Sequence, residues 1–165
     1  MIEQKMSKEH LRVKEERQIL VFRLAGEELG LDISFVREVL RPQAIYPLPK
    51  TPDFIEGVIN LRGHIIALID LGKRLHAGQK EAEPNKRIII CRINKSIIGL
   101  TVNSLKEIIA ISREDIKPIP EVVSMQMEVD VISGIAQVGE RIIPILDLDH
   151  IVTKKELTEL SGLGR

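Results

Sequence analysis

Aromatic residues and cysteine are both scarce in this chain. Among its 165 residues only Phe22, Phe35, Tyr46 and Phe54 are aromatic, and tryptophan is absent. Proteins that bind single-stranded nucleic acid stack bases on aromatic side chains, so this composition does not favour that function. The single cysteine, Cys91, excludes an intrachain disulfide and a multi-cysteine metal cluster. We therefore expect an aliphatic core and a reduced, cytoplasmic protein.

The chain also lacks an excess of charge of either sign and any long apolar run. Its 24 Lys and Arg residues balance 24 Asp and Glu residues, whereas nucleic-acid-binding domains and proteins that adhere to anionic lipids usually carry a basic excess. The longest apolar run, residues 65–69, is far shorter than a membrane span, and the charged residues 1–17 do not resemble a secretory signal. We expect no nucleic-acid partner and no direct membrane insertion.

Short runs of Ile, Leu and Val are abundant, and they predict β-strands. Residues 18–24 and 29–33 flank a turn at Ala25-Gly26, which is typical of a β-hairpin. The elements predicted to follow are an extended proline-bearing segment at 42–52, a brief helix opened by Thr51-Pro52-Asp53, a strand at 57–61, a turn at Arg62-Gly63, a strand at 64–69, a short helix at 71–76 capped by Asp70, and a polar linker at 77–86.

The second half of the chain repeats the first. Residues 19–40 align without gaps over 88–109, and residues 57–71 align without gaps over 134–148. The blocks also match glycines, Gly30 with Gly99 and Gly57 with Gly134. Two long blocks in the same order predict an internal duplication. Each unit would hold about five short strands, enough to close a small β-barrel that hides its edges.

The residue types that carry catalysis form no recognised pattern. Asp70 and Asp147 occupy equivalent positions, as the paired carboxylates of aspartic proteases do, but neither is followed by the Ser or Thr and Gly of that site. Helix N-caps are the simpler interpretation. The four histidines lack metal-ligand spacing, and Cys91 has no evident base, so we expect it to pack in the core. The sequence predicts no catalytic residue, metal or cofactor.

Residues 57–63, Gly-Val-Ile-Asn-Leu-Arg-Gly, carry the clearest functional signal. The second copy keeps Gly134 and the flanking strands but has lost Asn-Leu-Arg-Gly. Arg62 is therefore either a solvated residue of a hairpin turn or a functional residue, and its loss from the second copy favours function. We call the following four residues the signature loop: Asn60, Leu61, Arg62 and Gly63.

Residues 54–71, Phe-Ile-Glu-Gly-Val-Ile-Asn-Leu-Arg-Gly-His-Ile-Ile-Ala-Leu-Ile-Asp-Leu, closely resemble the signature of the CheW family of chemotaxis coupling proteins. Residues 29–33, 36–39 and 98–102 support the resemblance, which runs from about residue 18 to residue 152. It implies a mainly β fold of two intertwined SH3-like five-stranded β-barrels from the duplication, with short helices and a C-terminal helix. The expected organisation is a flexible arm at 1–17, subdomains at about 18–76 and 86–152 that may exchange strands, and a C-terminal helix or tail at 153–165.

The resemblance also implies a non-catalytic adaptor that joins the cytoplasmic tip of methyl-accepting chemoreceptors to the regulatory domain of the histidine kinase CheA. A receptor-binding groove is expected between the barrels, near Val36, Glu38, Gly57, Gly99 and Ile108. An ion pair between Glu38 and Arg62 would orient the signature loop. The kinase is expected on an exposed aliphatic barrel end of the first unit.

The protein is expected to be a monomer in isolation that is recruited from the cytoplasm to membrane-associated receptor arrays. Two other functions stay open at this point. One is a related adaptor in another receptor–kinase array, such as an array for surface motility. The other is a double-barrel ligand-binding protein or enzyme, which would need convergent polar groups in a pocket.

Overall fold

The structure, a computed structural model, describes residues 16–77, 83–120, 131–152 and 156. Its strands are β1 (Arg17–Leu24), β2 (Glu27–Asp32), β3 (Val36–Leu40), β4 (Ile55–Leu61), β5 (His64–Asp70), β6 (Arg87–Ile93), β7 (Ser96–Val102), β8 (Ser104–Ile111), β9 (Ile116–Lys117), β10 (Ile132–Val138) and β11 (Arg141–Leu146). Helices are short: α1 (Leu71–Arg74), α2 (Leu148–Ile151) and 3-10 turns at Ile33–Phe35, Glu83–Asn85 and Arg113–Asp115. Most of the predicted N-terminal arm and C-terminal helix lies outside the described residues.

Each of the two sheets takes strands from both halves of the chain. Sheet A has the order β8-β1-β2-β11-β10-β9, and sheet B has the order β3-β6-β7-β5-β4. Besides the antiparallel pairs β1–β8 and β3–β6, the halves meet at two parallel junctions, where β2 runs beside β11 through Gly30 and Ile145 and where β5 runs beside β7 through Leu68 and Gly99. These two junctions are equivalent under the sequence repeat. The predicted fold class, mainly β with two intertwined duplicated halves, is confirmed.

Sheet A has six strands, whereas five were predicted for each barrel. The sixth is β9, two residues that pair with β10 at the sheet edge. At the equivalent edge of sheet B, Tyr46 and Val58 exchange two backbone hydrogen bonds of 2.9 Å, which form an isolated bridge. The edge strand of sheet A thus has two paired residues where sheet B has one, and the two sheets otherwise share one architecture.

The helix predicted to open at Thr51-Pro52-Asp53 is wrong. The chain instead makes a turn in which the Ile55 amide donates to the Pro52 carbonyl at 3.0 Å, and β4 begins at once. Phe54 and Ile55 are buried, so packing of this strand outweighs the local helix-start signal. The helix predicted at 71–76 is present but ends at Arg74.

Three hydrophobic clusters stabilise the sheets. One takes side chains from both sheets, and the other two take theirs from sheet A alone and sheet B alone. Strand β1 contributes to two of them: Ile19 and Val21 pack within sheet A, while Leu20 and Phe22 pack in the shared cluster. Cys91, the counterpart of Phe22, is likewise fully buried, and burial raises the pKa of its thiol to about 12. Among the described residues, no helix is long and apolar enough to cross a membrane.

Candidate functional site

The signature loop is the turn between β4 and β5. Arg62 and Gly63 have φ angles of 50° and 86°, as a type I′ hairpin turn requires. The Asn60 side-chain oxygen accepts a hydrogen bond of 2.9 Å from the Gly63 amide, which closes the turn. Ala25 has a φ of 52° at the turn between β1 and β2. The positive φ of Arg62 thus reflects the hairpin type and does not by itself mark a function.

Arg62 forms an ion pair with Glu38 on β3, the edge strand at the other end of the order of sheet B. The Arg62 side chain is 69% exposed and that of Glu38 is 29% exposed. Exposed pairs of this kind contribute about 1 kcal/mol or less to stability. The main effect of the pair is therefore to hold the signature loop against β3.

Three of the predicted groove residues lie in one row across sheet B. Gly57 on β4 pairs with Leu68 on β5, and Leu68 pairs with Gly99 on β7. Gly99 in turn pairs with Ile90 on β6, and Ile90 pairs with Glu38 on β3. The row spans the sheet from edge to edge, with Gly99 on the central strand.

Gly57 and Gly99 are both buried and leave no room for a side chain. A Cβ atom on Gly99 would lie 2.3 Å from Cδ2 of Leu68. A Cβ atom on Gly57, which has a φ of 148°, would lie 2.5 Å from the carbonyl oxygen of Tyr46. A larger residue at either position must displace its neighbours inside the protein before it meets any partner.

The other two predicted groove residues lie in different environments. Val36 begins β3, pairs with Cys91 and packs half-buried against the shared cluster. Ile108 lies on β8 of sheet A, pairs with Leu20 and is 56% exposed. Sheet B therefore holds Val36 with the row of three, and sheet A holds Ile108.

A pocket of about 690 Å³, which we call the mouth pocket, opens beside the ion pair. Its lining combines apolar and polar side chains: Arg37, Glu38, Leu61, Arg62, His64, Ile65, Ile66, Ile90, Lys95, Ser96 and Ile97. The buried and half-buried members are mostly aliphatic, while the cationic members are exposed. Ile65 is an exposed aliphatic residue, with 47% of its surface accessible. An apolar centre with a charged rim is the usual composition of a protein–protein interface.

Sheet A carries a cluster of ion pairs that the sequence analysis missed. The Arg141 guanidinium lies 2.7 Å from Glu107 and 3.1 Å from Glu28, and Lys106 also pairs with Glu28. The hydrogen bond from Lys106, with a further contribution from Arg141, lowers the pKa of the Glu28 carboxyl. Glu107, followed by Glu28, raises the pKa of Arg141. Because Glu107 is the counterpart of Glu38 in the repeat, the duplication was a signal that could have indicated this cluster.

Asp70 and Asp147, the equivalent aspartates of the two copies, each cap the N-terminus of a short helix. Asp70 Oδ1 accepts a hydrogen bond of 3.1 Å from the Lys73 amide, and Asp147 Oδ1 accepts one of 3.1 Å from the Asp149 amide. Within the described ranges, no group of three His, Cys, Asp or Glu side chains could hold a metal ion. These carboxylates have a structural explanation in each copy.

Comparison with known proteins gives a consistent family. The family model for the CheW-like domain matches residues 18–156. The chain is 31% identical over 153 residues to Chemotaxis protein CheW of Treponema pallidum, covering 90% of this chain and 89% of that protein. It is 34% identical over 139 residues to Chemotaxis protein CheW of Helicobacter pylori, covering 83% and 82%. The solved structure of the scaffolding protein TtCheW from Thermoanaerobacter tengcongensis matches with a TM-score of 0.77 and 40% identity, over 83% of this chain and 88% of that one. The chain belongs to the CheW family.

Proposed function

We propose that this protein is a non-catalytic adaptor that couples methyl-accepting chemoreceptors to the histidine kinase CheA. The observation that carries the proposal is the signature loop, which the Glu38–Arg62 ion pair holds at the rim of the mouth pocket. Membership of the CheW family, with curated relatives named as chemotaxis proteins, supports it. An adaptor needs two separate surfaces, and we assign one to the groove residues and the other to the β4–β5 hairpin around Ile65.

The proposed receptor surface is the groove of Val36, Glu38, Gly57, Gly99 and Ile108. Its exposed member is Ile108, and its charged member is Glu38. A helical hairpin that packs in such a groove would contact the aliphatic side chains, and its polar groups would meet the Glu38–Arg62 pair. The two glycines would act indirectly, because they set how closely the strands of sheet B approach.

The proposed kinase surface is the aliphatic end of the β4–β5 hairpin around Ile65. A large aliphatic side chain that is 47% exposed beside a pocket suits a modest interface of the transient type. In this arrangement the kinase domain contacts Ile65 and its aliphatic surroundings, while the Glu38–Arg62 pair stays available to the receptor.

The test is a pull-down with a receptor cytoplasmic hairpin and the CheA regulatory domain. We expect the wild-type chain to capture both, Arg62→Ala to weaken capture of the receptor, and Ile65→Asp to weaken capture of the kinase domain while receptor capture persists. Arg92→Ala is the matched control, because Arg92 is also an exposed arginine near a hairpin turn, where it hydrogen-bonds the Asn94 carbonyl. Every variant is first compared with wild type by circular dichroism.

Failure of the folded wild-type chain to capture either partner would contradict the proposal. Capture of the kinase domain without any chemoreceptor hairpin would favour the adaptor of a different receptor–kinase array. Gly57→Asp is a poor probe here, because the strain against Tyr46 would weaken the fold and the contact together.

A further inference from the structure

A second pocket, of about 470 Å³, lies where the two sheets meet. We call it the basic pocket, and its lining is Arg23, Asn85, Arg87, Ser104, Leu105 and Lys106. Its three cationic residues come from β1 and β8 of sheet A and from β6 of sheet B, and the lining includes no acidic residue. It shares no residue with the signature loop, the predicted groove or the mouth pocket.

Local backbone structure fixes the shape of the basic pocket. The Asn103 amide donates to the Arg23 carbonyl at 3.1 Å, and the Asn103 side-chain oxygen accepts from the Ala25 amide at 2.7 Å. The start of β8 is thereby tied to the end of β1. Lys106 is the extra residue of a β-bulge, since Leu105 and Glu107 pair with successive residues of β1. A bulge redirects side chains at this point of the sheet.

The charges in the basic pocket are only partly balanced. Lys106 forms an ion pair with Glu28. Arg87 donates to the Lys86 carbonyl at 2.7 Å, which is a neutral acceptor. Within the part of the chain that the structure describes, neither Arg23 nor Arg87 forms an ion pair with a carboxylate. Two guanidinium groups that share a pocket repel each other, and a bound anion would remove that repulsion.

We propose that the basic pocket binds an acidic segment of a protein partner. A single small anion is held best in a closed cage that excludes water, and Arg23, Asn85 and Lys106 are exposed. An open pocket gains more from a chain that presents several carboxylates to several cations. Leu105 adds an apolar contact for a neighbouring side chain of that segment. This inference does not depend on the proposed coupling of receptors to the kinase.

The experiment titrates the full chain into a fluorescein-labelled peptide, Leu-Glu-Glu-Leu-Glu-Glu, and follows fluorescence anisotropy. We expect Arg23→Glu and Arg87→Glu each to weaken binding about ten-fold or more, the effect of losing a charge-assisted hydrogen bond and introducing repulsion. Arg92→Glu is the matched control, since Arg92 is the counterpart of Arg23 in the repeat, is exposed and does not line the pocket. It changes the net charge equally and should shift affinity less than about two-fold.

Three results would overturn the proposal. Equal weakening by Arg92→Glu would show a general charge effect, and unchanged binding by both pocket variants would show that the peptide binds elsewhere. In a third result, inorganic phosphate displaces the peptide when both supply the same concentration of negative charge, and the same variants lose phosphate binding. That result would show a site for small anions. If Arg87→Glu does not fold, Arg87→Gln removes the charge at the half-buried position without adding another, and a several-fold loss is then expected.

Discussion

An added Cβ atom on Gly99 would meet a closer neighbour than one on Gly57, so substitution of Gly99 gives a quantitative test of packing in sheet B. A Cβ atom there would lie 2.3 Å from Cδ2 of Leu68, 3.2 Å from Cγ2 of Ile88 and 3.4 Å from Cδ1 of Ile90. Carbon atoms in contact are normally about 3.5–4.0 Å apart. Leu68 is fully buried and would have to move by more than an ångström. We expect Gly99→Ala to lower the free energy of unfolding by about 1–3 kcal/mol.

The double variant separates crowding from other effects. Leu68→Ala alone removes buried methyl groups and should cost about 2–5 kcal/mol. In Leu68→Ala with Gly99→Ala, the new Cβ occupies part of the space that Cδ2 has left, so the crowding disappears. We therefore expect the double variant to be less destabilised than the sum of the single variants, by about 1–2 kcal/mol.

Urea unfolding followed by circular dichroism measures each free energy, provided that the m-values agree. Additivity within about 0.5 kcal/mol would refute the argument that Gly99 serves this close approach. Gly30→Ala is the parallel case in sheet A, since a Cβ there would lie 2.6 Å from Cγ2 of Ile19. If receptor capture falls only as far as stability does, Gly99 acts as a packing residue. Capture lost at full stability would instead indicate direct contact.

Three further predictions concern the buried thiol of Cys91, the ion-paired carboxyl of Glu28 and the helix-capping carboxyl of Asp70. Cys91 should react with a thiol reagent at pH 8 only as fast as the protein opens, because its thiol is buried with a pKa of about 12; rapid modification of the native state would contradict this. The lowered pKa of Glu28 means that its contribution to stability is present above the unfolded value near 4.5 and is lost as the pH falls through the lower folded value. Urea midpoints of Glu28→Gln should therefore fall less steeply on acidification than those of wild type, and an identical slope would refute the linkage. Asp70→Ala should lower stability by about 0.5–2 kcal/mol through loss of the cap on the Lys73 amide, with Asp70→Asn as the conservative control; an equal loss in both would place the effect elsewhere.

Hairpins were predictable because their signals are local. Alternating apolar residues give the strand period, and Arg62-Gly63 gives the turn. The helix predicted to open at Thr51-Pro52-Asp53 was wrong for the same reason, since a local cap signal says nothing about the burial of the next residue, Phe54. The join between Gly30 and Ile145 has no local signal at all. It could be inferred only in outline, from the repeat.

The candidate site was predictable where the two copies differ. The second copy lacks Asn-Leu-Arg-Gly, and this difference alone directs attention to Arg62. The basic pocket gave no such signal, because Arg23 and Arg87 are 64 positions apart and meet only through the packing of sheet A on sheet B. Charged residues on predicted strands are normally interpreted as solvent-facing, and sequence pattern does not show which of them share a pocket.

The duplication also bears on which sheet is better suited to exchange contacts with a partner. Glu38 and Glu107 are equivalent, and each pairs with an arginine of a hairpin, Arg62 of β4–β5 and Arg141 of β10–β11. Arg141 comes from a strand and is held by two carboxylates, Glu107 and Glu28. Arg62 comes from the turn, and its side chain, 69% exposed, pairs with Glu38 at the protein surface. Exchanging that pair for a partner's carboxylate would cost about 1 kcal/mol or less. The Glu38–Arg62 pair of sheet B can therefore exchange its contacts at little cost in stability. In sheet A, the equivalent carboxylate Glu107 is held by Arg141, which Glu28 also binds.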